Sequence, residues 1–261
     1  MDEAIIREKL TEFVLRDPRN AMAAHGGMRM YDAPLFGFAA ADDPYFEEFR
    51  KPGVIGPGLL LPRDWLPNAR TVISYFLPFT EEVIASNRAI GLPSEEWVCA
   101  RIDGEAFNNA VRAYLVSLLH EAGEEAVAPG IDPRFRVVER VSNWSERHAA
   151  FVAGLGTFGL HRALITAKGA AGRIGSVITS CAFAPSQRAY TQYYEYCPYL
   201  TRGKCGACIK RCPPAAITEN GKDHRICGDY MDNEILPLYA PRYGCAKCNT
   251  RVPCEHGIPV F

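Results

Sequence analysis

The sequence lacks a long apolar run, and no hydrophobic stretch approaches the ~20 residues that a membrane-spanning helix needs. It also lacks an excess of charge of either sign. Its 29 Lys and Arg against 30 Asp and Glu leave a net charge of −1, which argues against a dedicated nucleic-acid binder with a basic face. The opening residues, MDEAIIREKLTEF, are acidic and amphipathic, unlike a secretory or twin-arginine leader, so a cytoplasmic protein is expected. No repeat of long period is visible, and 261 residues leave room for two unequal domains.

Cysteine is the residue in abundance. Eight of the ten lie between Cys197 and Cys254, as Cys197, Cys205, Cys208, Cys212, Cys227, Cys245, Cys248 and Cys254. CGACIKRCPP is Cys-x2-Cys-x3-Cys-Pro, the tail of a bacterial ferredoxin run, in which the cysteine before proline serves the other cluster. YGCAKCNTRVPCEHGIP adds Cys-x2-Cys-x5-Cys, and eight thiolates are the complement of two four-ligand iron–sulfur clusters. Disulfides would need an oxidising compartment. Two four-cysteine zinc sites are the other metal reading, while a thioredoxin-like Cys-x-x-Cys leaves six cysteines without a use.

Before this region, helix and strand patterns alternate, which predicts an α/β domain over residues 1–185 and a cluster domain over 186–261. Residues 2–16 read as a helix with Ile6, Leu10, Phe13 and Val14 on one face, stopped at Asp17-Pro18. Residues 19–68 are rich in Gly, Pro and aromatics, an ordered apolar loop expected to cover a sheet edge or line a cofactor cavity. Residues 70–77 and 174–183 read as buried strands, and a helix is expected from Asp103 to Gly123. The tyrosines of SQRAYTQYYEYCPYL are expected to pack between the domains.

Residues 142–166, SNWSERHAAFVAGLGTFGLHRALIT, form the second informative region. Gly154-x-Gly156-x-x-Gly159 spells the dinucleotide fingerprint, but a helix precedes it and a strand follows, the reverse of what that fingerprint requires. The glycines are read as places of close backbone approach. Asn143 and Glu146 stand at capping-box spacing. Arg147 and His148 follow in the first turn, where cations are disfavoured unless an anionic ligand or solvent compensates. An unperturbed imidazole at His148 would move protons near neutrality.

APLFGFAAADDPYF, ERHAAFVAGLGTFG and the split double-cysteine region together resemble the epoxyqueuosine reductase and reductive dehalogenase superfamily, over essentially the whole chain. The resemblance implies a corrinoid-binding domain similar to the flavin nitroreductases, followed by a ferredoxin-like double [4Fe–4S] domain. It implies a cobalamin bound base-off, receiving electrons singly from the clusters and driving a two-electron reduction while a side chain supplies a proton. Carried over by position, one cluster takes Cys212, Cys227, Cys245 and Cys248, and the other Cys197, Cys205, Cys208 and Cys254.

On that basis the candidate catalytic residues are His148 and Glu146. The candidate cofactor-binding residues are Asn143, Ser145, Arg147, Gly154, Gly156, Thr157 and Phe158. There are departures: Arg202 stands where the family's run carries a further cysteine, and Arg140 aligns with the aspartate proposed as proton donor in epoxyqueuosine reductases. No Asp-x-His-x-x-Gly corrinoid motif occurs. The chain stops soon after its last cysteine, without the helical-repeat extension with which those enzymes hold tRNA. A small organic substrate is therefore expected, with ferredoxin or flavodoxin as upstream donor. The alternatives are an electron-transfer or activator protein serving a separate partner, steered by the basic residues between Arg202 and Arg225, or a flavin reductase in the same fold.

Overall fold

Residues 2–260 are described in this computed structural model. Helix α1 (Glu3–Arg16) leads through short turns into strands β1 (Leu35–Ala40) and β2 (Thr71–Pro78), then the long helix α2 (Glu95–Glu121) and the short strand β3 (Ala126–Val127). Helix α3 (Glu146–Val152) is followed by β4 (Gly156–Phe158), β5 (Leu164–Thr166) and β6 (Gly172–Thr179). The C-terminal region carries only short elements, among them α4 (Pro198–Arg202), α5 (Ala207–Arg211) and α6 (His224–Tyr230).

The central sheet has the order β1-β2-β6-β3 and is antiparallel throughout. The fold is thus mixed α/β rather than a parallel βαβ array. Its strands read as continuous apolar runs because both faces are covered, as happens in buried sheets. The alternation of β2 shows this: Ile73, Tyr75 and Leu77 enter one core with Ile6, Leu10 and Val14 of α1 and Phe107, Val111 and Leu115 of α2. Val72 and Phe76 enter a second core with Ala149, Ala150 and Phe151 of α3.

Helix α1 behaves as its spacing predicts, capped by Asp2, whose carboxylate accepts from the Ala4 N–H, and ended at Asp17. Helix α2 begins at Glu95, earlier than the expected Asp103, because Ser94 caps it by accepting from the Trp97 N–H. Its first turns bury Trp97, Val98 and Ala100, so tertiary packing carries the helix upstream of the readable periodicity. Gly123 (φ 80°) ends it, as expected.

The irregular segment 41–69 is ordered by burial of Phe46, Phe49, Leu59, Trp65 and Leu66 in the second core. It clothes a face of the sheet. Tyr190 stacks on Phe151 (centroids 5.2 Å apart) and meets Tyr196 edge-on (5.5 Å), so these tyrosines pack residues 190–196 against helix α3. Among the described residues no helix is long and apolar enough to cross a membrane.

Candidate functional site

A cavity of about 680 Å³ lies where the α/β sheet meets the cysteine-rich region. Helix α2 lends it Arg101, Glu105 and Arg112, and β6 lends Arg173 and Ile174. The turn into α3 lends Ser145, Glu146 and Arg147, and the far wall holds Cys212, Cys227, Cys245 and Cys248. No residue of the 19–68 segment lines it.

The buried charge centre of the cavity is Arg112, whose side chain is 4% exposed. Its guanidinium donates to Glu105 Oε1 at 2.7 Å, Asn109 Oδ1 at 2.5 Å, Glu146 Oε1 at 3.1 Å and the Ile174 carbonyl at 3.3 Å. The second Glu146 oxygen accepts from Ser176 Oγ, which accepts from Trp144 Nε1 at 3.0 Å. Burial pushes Glu146 above the ordinary carboxylate value, opposed by the Arg112 charge. Glu105 is held below it: the charges of Arg173 and Arg112 outweigh its own burial. Two carboxyl groups in one cavity are thereby set apart in proton affinity.

The expected capping box does not form. Ser145, not Asn143, is the N-cap, and Glu146 turns its carboxylate inward to Arg112 and Ser176. Asn143 instead braces the 137–142 hairpin, accepting from the Arg136 N–H and donating to the Arg134 carbonyl, both at 2.9 Å. His148 does not line the cavity. Its Nδ1 lies 2.7 Å from Ser145 Oγ, and its ring packs between Phe49 and Phe158 with centroids 4.7 and 4.8 Å away. Burial, with help from the Arg147 charge, pushes it down to about 3, so it is neutral near pH 7. Arg147 is at the cavity wall and donates to the Arg162 carbonyl at 2.6 Å.

The glycine segment is a strand hairpin, β4 paired to β5, whose strands line the cavity only through Leu164. Gly154 adopts a left-handed φ of 84°, and Thr157 Oγ1 accepts from the Tyr196 N–H at 2.8 Å. A Cβ on Gly156 would lie 2.0 Å from the Ile165 carbonyl oxygen. Gly156→Ala should therefore force the hairpin apart and lower stability by about 1–3 kcal/mol, the usual range for overpacking. Chemical denaturation would check this, and an unchanged midpoint would show that the hairpin yields freely.

The cysteines fall into two groups. Cys208 and Cys254 lie within electrostatic reach of each other and of Cys197 and Cys205, while Cys245 lies within reach of Cys212, Cys227 and Cys248, and Cys248 also of Cys227. Cys208 also interacts with Cys248, so the groups adjoin. Burial pushes the Cys208 and Cys248 thiols up to about 12. All ten cysteines are free, and Cys205 is exposed. Among the described residues, no three of His, Cys, Asp or Glu converge closely enough to hold a single metal ion.

Two residues at this junction escaped the sequence reading. His161 is 3% exposed and reaches the Cys254 sulfur, 3.3 Å from Nε2. Its only sequence signal was the third glycine of the fingerprint-like segment, since a Cβ on Gly159 would lie 2.7 Å from the imidazole. Lys247, between two cysteines, is 1% exposed and donates to the Asn87 and Ala89 carbonyls at 3.0 and 2.9 Å, tying the cysteine-rich region to the first domain. Arg140, which lines the cavity, sits at the tip of the 137–142 hairpin and bridges to Asp232 (2.8 Å) and Asp229 (3.3 Å). Its guanidinium lies over Gly228, where a Cβ would meet Nη1 at 1.9 Å.

No family model matches the chain. Over 213 residues, 76% of this chain and 53% of the relative, it is 27% identical to an epoxyqueuosine reductase of Vibrio cholerae. The chain thus spans about half the length of that curated relative. A crystal structure of epoxyqueuosine reductase with an epoxyqueuosine-modified tRNA-Tyr stem loop covers 100% of this chain and 68% of its own at TM-score 0.57 and 16% identity. A catabolic reductive dehalogenase covers 87% of this chain and 30% of its own at TM-score 0.54 and 13% identity, which shows the shared fold. The chain is thus similar to epoxyqueuosine reductase in sequence, and shares its fold with epoxyqueuosine reductase and with a reductive dehalogenase.

Proposed function

We propose that this protein is an iron–sulfur, cobalamin-dependent reductase that passes electrons through two [4Fe–4S] clusters to a corrinoid, which reduces a small organic substrate. The observation that carries the reading is the cavity itself, walled on one side by the quartet Cys212, Cys227, Cys245 and Cys248 and on the other by the Arg112–Glu146 pair. A cluster spreads its four thiolates around a cube of iron and sulfide. A zinc ion would instead draw its four thiolates to ~2.3 Å from one point.

The residues fit a bulky, partly polar cofactor beside the inner quartet. Ser145 and Arg147 would hold it from the α3 turn, with Arg101 and Arg173 available to its polar groups. When bound, a corrinoid supplies a cobalt centre that accepts electrons one at a time and delivers them to an organic substrate. The protein supplies positioning, exclusion of water and protons. Glu146 lines the cavity and binds its proton more tightly than an ordinary carboxyl, so it is our choice of proton donor. His148, behind Ser145, acts by orienting that serine. Asn143, Gly154, Gly156, Thr157 and Phe158 do not line the cavity and would support neighbouring segments rather than touch the cofactor.

Electrons would enter at the outer quartet, where Cys205 is exposed beside exposed Lys204 and Lys210. That surface suits an acidic donor such as ferredoxin or flavodoxin. The test is anaerobic purification followed by iron, sulfide and cobalamin analysis. About eight irons per chain and a retained corrinoid, with its absorption changing on reduction, are expected from two four-iron clusters. A colourless protein carrying zinc would overturn the reading. Iron without any cobalamin uptake would overturn its corrinoid half.

A further inference from the structure

We propose that His161 sets the reduction potential of the outer cluster, the one assigned to Cys197, Cys205, Cys208 and Cys254, by donating its Nε2–H to the Cys254 sulfur. The inference rests on the cluster reading above, but concerns a residue of the first domain that the cysteine pattern does not include. The Ala163 N–H donates to His161 Nδ1 at 3.0 Å. A ring nitrogen that accepts carries no proton, so in the neutral ring the hydrogen sits on Nε2. Nε2 lies 3.3 Å from Cys254 Sγ, within the reach of a hydrogen bond to sulfur.

Both ends of this bond are fixed. The imidazole is sealed from solvent and lies against the backbone of Gly159, where any side chain would displace it. The Cys254 carbonyl accepts from the Ala170 N–H at 2.9 Å. A Cβ on Gly169 would lie 2.1 Å from the carbonyl oxygen of Glu255, the next residue. The first domain thus grips the Cys254 loop through its backbone and aims one donor at its sulfur. Reduction adds one electron to a cluster and increases the negative charge on its sulfurs. A fixed donor therefore stabilises the reduced form more than the oxidised form, and the potential rises. His161 is a positioning and tuning residue; acting on one cluster, it sets the driving force between the two.

The test uses the full chain with both clusters reconstituted anaerobically, its iron and sulfide counted, and each cluster titrated with reductant under electron paramagnetic resonance. His161→Phe keeps the packing and removes the donor, so the potential of one cluster should fall while the other stays in place. His161→Gln, which retains an N–H at similar reach, should restore most of the shift. If His161→Phe does not hold the outer cluster, His161→Asn, whose amide falls short of the sulfur, replaces it with the same two readings. Unchanged potentials, or an equal shift in both clusters, would overturn the assignment. Failure of the wild-type protein to take up two clusters would instead overturn the reading beneath it.

Discussion

Stripping the clusters from the anaerobically prepared protein should unfold its C-terminal third while leaving the α/β sheet folded. Its own secondary structure gives it little internal support, although Lys247, Arg211 and Arg242 bond it to residues 87–103. Helices α4 and α5 have five residues each and α6 has seven, too short to persist in isolation. The buried residues of its core are Leu160, Ile165, Ala170, Ile217 and Val252 with Cys197, Cys208 and Cys254, so the thiols themselves are core. Each quartet joins distant stretches, 197–208 with 254 and 212–227 with 245–248. In small metal domains, binding of a structural ion contributes about 10–16 kcal/mol to folding, far above any surface contact here. Chelation with mild oxidation should bleach the visible absorption and, in step, expose sites beyond about residue 190 to protease. The sheet core, with β2 buried at every position, should resist. If the bleached protein keeps its full protease resistance, the clusters are not structural.

Arg112→Met should be the most damaging single substitution in the first domain. It removes the donor to Glu105, Asn109, Glu146 and Ile174 together. It leaves Glu146, whose side chain is 20% exposed, without its counter-charge. Breaking one side of a buried pair costs about 3–5 kcal/mol. Adding Glu146→Gln should recover about 1–2 kcal/mol, the coupling expected of groups in direct contact.

The pH dependence has a definite sign. Glu146 already holds its proton more tightly in the folded protein than its ordinary value of 4.5, and loss of the Arg112 charge raises it further. A carboxyl raised on folding destabilises the folded state increasingly as pH climbs from the unfolded value through the folded one. The Arg112→Met deficit should therefore be largest near neutrality and shrink toward pH 5, and Glu146→Gln should flatten that slope. Urea denaturation across this range would decide it. A pH-independent deficit would mean that Glu146 keeps its charge by other means.

These two expectations rest on features of unequal legibility. The cysteine run was plain in the sequence because it is one residue type recurring at short spacings. Helix α1 and strand β2 were plain because apolar periodicity is local. The antiparallel order of the sheet was not, since strands buried on both faces carry no mark of direction. Asn143 and Glu146 matched a capping box by spacing, but Arg112, 34 residues earlier in the chain, competes for the carboxylate and wins it. His148 looked free for proton transfer until Phe49 and Phe158, from two other segments, enclosed it.

By itself, the sequence determined which residue types are in supply: eight thiols between Cys197 and Cys254, an apolar sheet core, and a glycine segment that tolerates close approach. Only the tertiary structure decided what faces what. It put Glu146 into the cavity with Arg112, turned His148 away from it, and brought His161 to the Cys254 sulfur. The physical reason is distance along the chain. Periodicity and ligand spacing are local properties, whereas burial, ion pairing and hydrogen bonding between residues 34 or 93 positions apart exist only once the chain has closed on itself.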